Sequence, residues 1–215
     1  MKNKYFWIAI ISIIFIAEFI GCHRYLKTHP IIKNKIVYTP VIEYKNKKGV
    51  IFNITYKTLA KDLATNYSFL SKNQQVQILN AIKKSSKKYN INPLVIYSLI
   101  SVESSYMFWV QSPRRLVVNS SGKKQYDRAV GLCSICYSIW GEKLKKAKIL
   151  STKSELYEIE PNIMAGSYIL KVLKKRYKGN TIKALEAYFG KSNYAKVYQR
   201  KIIAKIGSLI EKEIL

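Results

Sequence analysis

Glu103 stands at the end of an apolar run, Leu94 to Val102, inside Ile91–Tyr106 (INPLVIYSLISVESSY), and Ser104 and Ser105 follow it. A helix over this run is buried on nearly every face. In apolar surroundings the charged form of a carboxyl group is disfavoured, its pKa rises, and it stays protonated near neutral pH as a general acid. A buried Glu held in a local hydrogen-bond network accounts for the same residues as well. Cys133 and Cys136 form a C-x-x-C that reads as a redox pair, half of a metal site, or two small apolar residues in a loop. Zinc needs further ligands, and the two histidines, His23 and His29, lie far from this pair in sequence, so no metal is expected. With the histidines placed there, no serine or cysteine triad can be assembled, and no Gly-rich phosphate cradle is present. No cofactor is expected.

Several elements must position Glu103. Asn92 suits a helix cap and Pro93 the first helical position, which puts Glu103 about three turns in. Upstream, Ser71-Lys-Asn-Gln74 reads as a capping box, with Val76, Leu79 and Ile82 at helical spacing behind it. Between Tyr106 and Val130 the chain is irregular. Leu116-Val117-Val118 before the turn Asn119-Ser-Ser-Gly122 predicts one arm of a small hairpin or flap. Ala129 to Gly141 reads as a tight loop entering a short helix. Pro161 opens another helix, ending near Gly179-Asn180. Thr181 caps Ile182 to Tyr188, and a last amphipathic helix runs from about Tyr194 to Ile210. The periodic segments make a mainly α domain of about six helices over 71–215.

The chain of 215 residues has 38 Lys and Arg against 12 Asp and Glu, a net charge of +26 spread along its length. Such a field implies an anionic partner or surface, or else solvated helix faces. Residues 1–22 have the layout of a signal peptide or membrane anchor: basic Met1–Lys4, an apolar run to Ala17, then Glu18 and Gly21-Cys22. The run is short against the roughly twenty residues a spanning helix needs. Gly21-Cys22 resembles a lipoprotein processing site, and an uncleaved anchor fits equally. Either places the protein outside the cytoplasm, membrane-anchored and facing the periplasm or cell wall. Residues 23–70, with Pro30 and Pro40 and short β-branched runs, read as extended connector.

Four motifs fall in order on these elements: Asn92-Pro93 to Glu103-Ser104-Ser105; Ala129-Val130-Gly131-Leu132; Pro161-Asn162-Ile163 with Gly166 and Tyr168 to Leu170; and Ala184-Leu185-Glu186-Ala187-Tyr188. Together they resemble the lytic transglycosylases with a goose-lysozyme-like catalytic domain, over roughly Ser71 to Ile206. The resemblance implies a lysozyme-like fold and chemistry on peptidoglycan glycan strands with Glu103 as the one catalytic carboxylate. It further implies Ser104 as a hydrogen-bond partner near the acid, Gly131 and Leu132 as backbone lining the sugar groove, Ser134 and Tyr137 among the substrate-binding residues, and Tyr188 close to Glu103. Trp109, Tyr137 and Trp140 are candidate sugar-stacking faces, though aromatics at helical spacing are more often core. Asp127 is the one other acid kept as a second carboxylate.

Two departures from the family pattern stand out. The family usually has Gly-Leu-Met-Gln where this chain has Cys133 and Ser134, and Ala-Tyr-Asn where it has Phe189. The longer interval from Glu103 to Gly131 resembles members acting with secretion or pilus machinery, which makes secretion-machinery proteins candidate partners beside the membrane. The rival reading is a membrane-tethered wall-binding module without turnover. A nucleic-acid partner is not expected, since charge alone favours it and no stacking or recognition motif stands out.

Overall fold

A computed structural model describes residues 42–45, 51–54, 56–190 and 192–214. The expectations for residues 1–22, including Cys22, and for His23 and His29 lie outside the described residues. Ile42–Lys45 (β1) and Ile51–Ile54 (β2) form an antiparallel hairpin with Ile42 opposite Ile54. Helix α1, Tyr56–Asn66, follows. It falls inside the stretch read as connector, so the folded part extends upstream of Ser71. Leu59 and Leu63, one turn apart, form a narrow apolar stripe buried against the helices described next. Asp62 is buried beside them, and its carboxylate accepts from Tyr97 Oη, Lys205 Nζ and Lys212 Nζ, each at 2.7 Å. Burial alone would raise this carboxyl, but the lysine and tyrosine donors outweigh it and hold it below the ordinary range.

Helix α2 spans Lys72–Tyr89 and opens on the expected capping box: Ser71 Oγ accepts from the Gln74 N–H at 3.2 Å, and Gln74 Oε1 from the Ser71 N–H at 2.8 Å. Helix α3, Pro93–Ser104, is capped by the Asn92 side chain, which accepts from the Leu94 N–H at 2.8 Å. Every residue from Leu94 to Ile100 is buried, Ser98 included, as the nearly uninterrupted apolar run predicts. The helix stops where Ser105 and Tyr106 turn left-handed, at φ 49° and 66°. Glu103 is therefore in its last turn.

The expected flap is the hairpin of β3, Arg115–Val118, and β4, Lys124–Asp127, with Arg115 opposite Asp127. The short pair Ala129–Val130 (β5) and Ile135–Cys136 (β6) leads into α4, Tyr137–Lys146. After a 3₁₀ turn, Ser154–Tyr157, helix α5 runs from Ile159 to Arg176, so Pro161 sits inside its first turn instead of opening it. Helix α6, Thr181–Phe189, is capped by Asn180, whose side chain accepts from the Lys183 N–H at 3.0 Å, and not by Thr181. Helix α7 spans Ala195–Ile214. Seven helices thus lie among the described residues, and the one that periodicity misses is α1.

Helix α2 lies along α5 in the same direction. Lys84 pairs with Glu160, Ser85 Oγ meets Met164 Sδ at 3.0 Å, and the Tyr89 and Tyr168 rings meet edge to face. Helix α3 packs on α7, and α6 bridges α5 and α7. That arrangement brings the end of α3 to the inner faces of α6 and α7.

Candidate active site

Glu103 is half-covered, and its Oε1 accepts a hydrogen bond from the Tyr198 hydroxyl of α7. The carboxyl keeps some surface, yet it is closely surrounded by protein, and burial pushes its pKa up to about 7 from an ordinary 4.5. The Tyr198 and Ser134 hydroxyls and the charge of Arg115 pull the other way without overcoming burial. Near neutral pH such a group holds and releases a proton with equal ease, which is what a residue serving first as acid and then as base requires. The Tyr198 hydroxyl is itself pushed up, by burial first and then by Glu103, so it remains a donor.

The loop facing Glu103 is held by Asn162, buried in the first turn of α5. Its Oδ1 accepts from the Cys133 N–H at 2.8 Å, and its Nδ2 donates to the carbonyls of Leu156 at 2.6 Å and Val130 at 3.2 Å. Gly131 adopts φ +76°, and a Cβ there would run into Asn162 Nδ2 and the Leu156 carbonyl. Gly166 lets the same loop approach α5, since a Cβ would stand 2.6 Å from Cys133 Sγ. The clamped loop turns at Ser134, φ 48°, whose hydroxyl donates to the Glu103 backbone carbonyl at 3.3 Å.

The residues expected at the site fall into two groups. Glu103, Ser134 and Tyr188 come together, but Tyr188 does not reach the carboxyl: its hydroxyl donates to the Cys133 carbonyl at 2.8 Å and so braces the loop. Tyr198, which nothing in the sequence singled out, takes the place foreseen for it. Ser104 is buried and its hydroxyl turns back to the Ile100 carbonyl at 3.2 Å, away from the role foreseen beside the acid. Gly131 and Leu132, expected to line the sugar groove, are both buried within the loop. Tyr137 lines a separate depression of about 220 Å³ with Asn119, Gln125 and Glu142, which does not include Glu103. Trp109 is 46% exposed and meets Phe69 and Phe108 edge to face, while the Trp140 ring lies under Lys143.

Asp127, the acid kept as a second carboxylate, is engaged by other groups. It is buried, its Oδ1 accepts from Lys153 Nζ at 2.8 Å, and its Oδ2 accepts from the Ser138 N–H at 2.9 Å and from Cys136 Sγ at 3.3 Å. Burial works against the charge, but Lys153 and the backbone N–H groups of Ser138 and Arg128 hold the carboxyl well below the usual range, so it stays ionised as a cap on α4. Cys133 and Cys136 are both buried free thiols, each pushed up by burial, with Cys133 against Gly166 and Cys136 on Asp127. Of the open readings of the C-x-x-C, the structure shows two packed thiols. No group of His, Cys, Asp and Glu suited to a metal ion occurs among the described residues.

Residues 80–205, more than half of the chain, match the model of the Transglycosylase SLT domain family. The chain belongs to that family. A solved lytic transglycosylase Slt from Pseudomonas aeruginosa, an inactive mutant, has the same fold, with a TM-score of 0.51 at 16% identity over 62% of this chain and 24% of that one. The 70 kDa soluble lytic transglycosylase from Escherichia coli aligns at a TM-score of 0.44 and 16% identity, over 72% of this chain and 25% of that one. The chain spans about a quarter of the length of these solved structures. Within the SLT domain, the two positions where the family pattern usually carries amides acquire local explanations. Ser134 is short enough for its hydroxyl to meet the end of α3, and Phe189 lays its ring 4.9 Å from that of Tyr198, supporting the tyrosine that donates to Glu103.

Proposed function

We propose that the protein is a peptidoglycan lytic transglycosylase with Glu103 as its single acid and base. Glu103 protonates the glycosidic oxygen between N-acetylmuramic acid and N-acetylglucosamine. As carboxylate it then accepts the proton of the muramic C6 hydroxyl while that oxygen bonds to the anomeric carbon. The glycosidic bond breaks, a 1,6-anhydro end forms, and no water is consumed. The observation that carries this reading is the carboxyl poised near 7 under one tyrosine donor, with Asp127, the other acid considered, committed to α4. Two-carboxylate glycoside hydrolysis needs a second acid across the bond. The basic, apolar residues 1–22 support export and a membrane tether facing the wall, and the long hairpin-bearing interval before Gly131 supports service to a secretion machine.

Ser134 and Phe189, in place of two amides, favour a second reading: a wall-binding module that keeps the fold without turnover. Digestion of purified peptidoglycan by the full chain and by Glu103→Gln, with mass spectrometry of the released fragments, separates the two. Anhydro-muropeptides from the wild type alone support the transglycosylase. Reducing ends indicate hydrolysis, and sedimentation with the wall without release indicates the binding module.

A further inference from the structure

We propose that Arg115, at the base of the β3–β4 hairpin, binds a carboxylate carried by the muramic residues of the glycan, so that the hairpin selects strands by their anionic substituents. The inference rests on the transglycosylase reading and adds a specificity residue to it. Residues alternate sides along a strand, and Val117 is buried, so Arg115, two positions earlier, shares the inward side of β3. Its cross-strand neighbour Asp127 is engaged by Lys153, Ser138 and Cys136, and none of the ion pairs among the described residues includes Arg115. The guanidinium is exposed, yet its charge is felt at Glu103.

The hairpin base is also fastened to the catalytic loop. Gln111 bridges Val130, Ser112 Oγ accepts from the Ala129 N–H at 2.9 Å, and the loop continues to Ser134 beneath Glu103. Residues 111–128 carry Arg114, Arg115, Lys123, Lys124 and Arg128, with Asp127 as their one acid. A cation beside a general acid favours the wrong protonation state. The placement becomes useful once an anion arrives, because a carboxylate paired to the planar guanidinium cancels its field and leaves the proton on Glu103 more tightly held. The other titratable groups acting on Glu103, Tyr198 of α7, Tyr188 of α6 and Cys133 of the loop, are all pushed upward and remain neutral at working pH. Two carboxylates are available on such strands: the lactyl arm of a muramic residue without peptide, and the acids of an attached peptide.

The test measures kcat/KM of the full chain, Arg115→Gln and Arg115→Lys on three substrates. These are native peptide-bearing strands, the same strands with every carboxylate converted to carboxamide, and strands stripped by an amidase, which exposes the lactyl carboxylate. The wild type should favour native over amidated strands by about tenfold, as for a charge-assisted pair. Arg115→Gln should bring that ratio close to one, with Arg115→Lys between. Stripped strands cut as slowly as amidated ones assign the peptide carboxylate, and stripped strands cut as fast as native ones show that the lactyl carboxylate, once exposed, serves Arg115 equally. In Arg115→Gln the basic limb of the pH profile should also move up, which an arginine whose charge does not reach Glu103 would not cause. Equal wild-type rates on native and amidated strands, or an equal loss on both in Arg115→Gln, overturn the inference alone. Absence of anhydro products from every substrate overturns the transglycosylase reading, and the inference with it.

Discussion

Replacing Glu103 with Gln should make the folded protein more stable above neutral pH while abolishing turnover. Folded Glu103 titrates near 7, against an ordinary value of 4.5. The folded state therefore binds this proton more tightly than the unfolded chain. The stability this gives is complete below pH 4.5 and is lost as pH rises through 7. One pKa unit corresponds to about 1.4 kcal/mol, so the full interval is worth at most about 3 kcal/mol by pH 8, less whatever solvent screens at the open side of the carboxyl. Gln has nearly the same volume, keeps an oxygen for the Tyr198 hydroxyl, and never ionises. Urea unfolding of both proteins at pH 4 and pH 8 reads the difference directly. At pH 4 the two should unfold together, and at pH 8 the Gln variant should be the more stable by roughly 1–3 kcal/mol. A gap that stays constant across this range would mean that the carboxylate is not held against its burial, and the acid role would lose its physical basis.

Tyr198→Phe removes a donor that favours the charged form of Glu103, so the basic limb of kcat/KM should move up by about one pH unit; an unmoved limb would rule out the pairing. Gly131→Ala forces a side chain into Asn162 and the Leu156 carbonyl at positive φ and should cost more than about 3 kcal/mol in a thermal or urea melt, whereas a change below about 1 kcal/mol would contradict the clamp. Asp127→Asn should leave anhydro-product formation in place while lowering stability by about 1–3 kcal/mol through its lost pair with Lys153 and weakened cap on α4; loss of activity with full stability would return Asp127 to the reaction.

The caps of α2 and α3 were readable because each uses residues within a few positions: Ser71 with Gln74, and Asn92 with Leu94. Glu103 was readable because an acid ending an almost uninterrupted apolar run is conspicuous. Helix α1 was not, since its buried stripe is narrow and its buried Asp62 depends on lysines more than 140 residues away. Tyr198 was missed for a related reason. On an amphipathic helix a buried tyrosine looks like core, and its pairing with a residue 95 positions earlier is set by how α3 packs on α7. Asn162 left one signal, a polar residue among Ile163, Met164 and Ala165, all of which are buried with it. The boundary at Thr181 slipped by one residue because Asn180 and Thr181 are both competent caps.

The three-way grip on Asp62 gives this domain a mechanical property. Helix α1 is joined through one carboxylate to Lys205 and Lys212, on the same helix that carries Tyr198. A pull on the chain ahead of Tyr56 would load α7 through that grip and reach the tyrosine that donates to Glu103, so tension on the leading segment and the proton affinity of Glu103 share one load path.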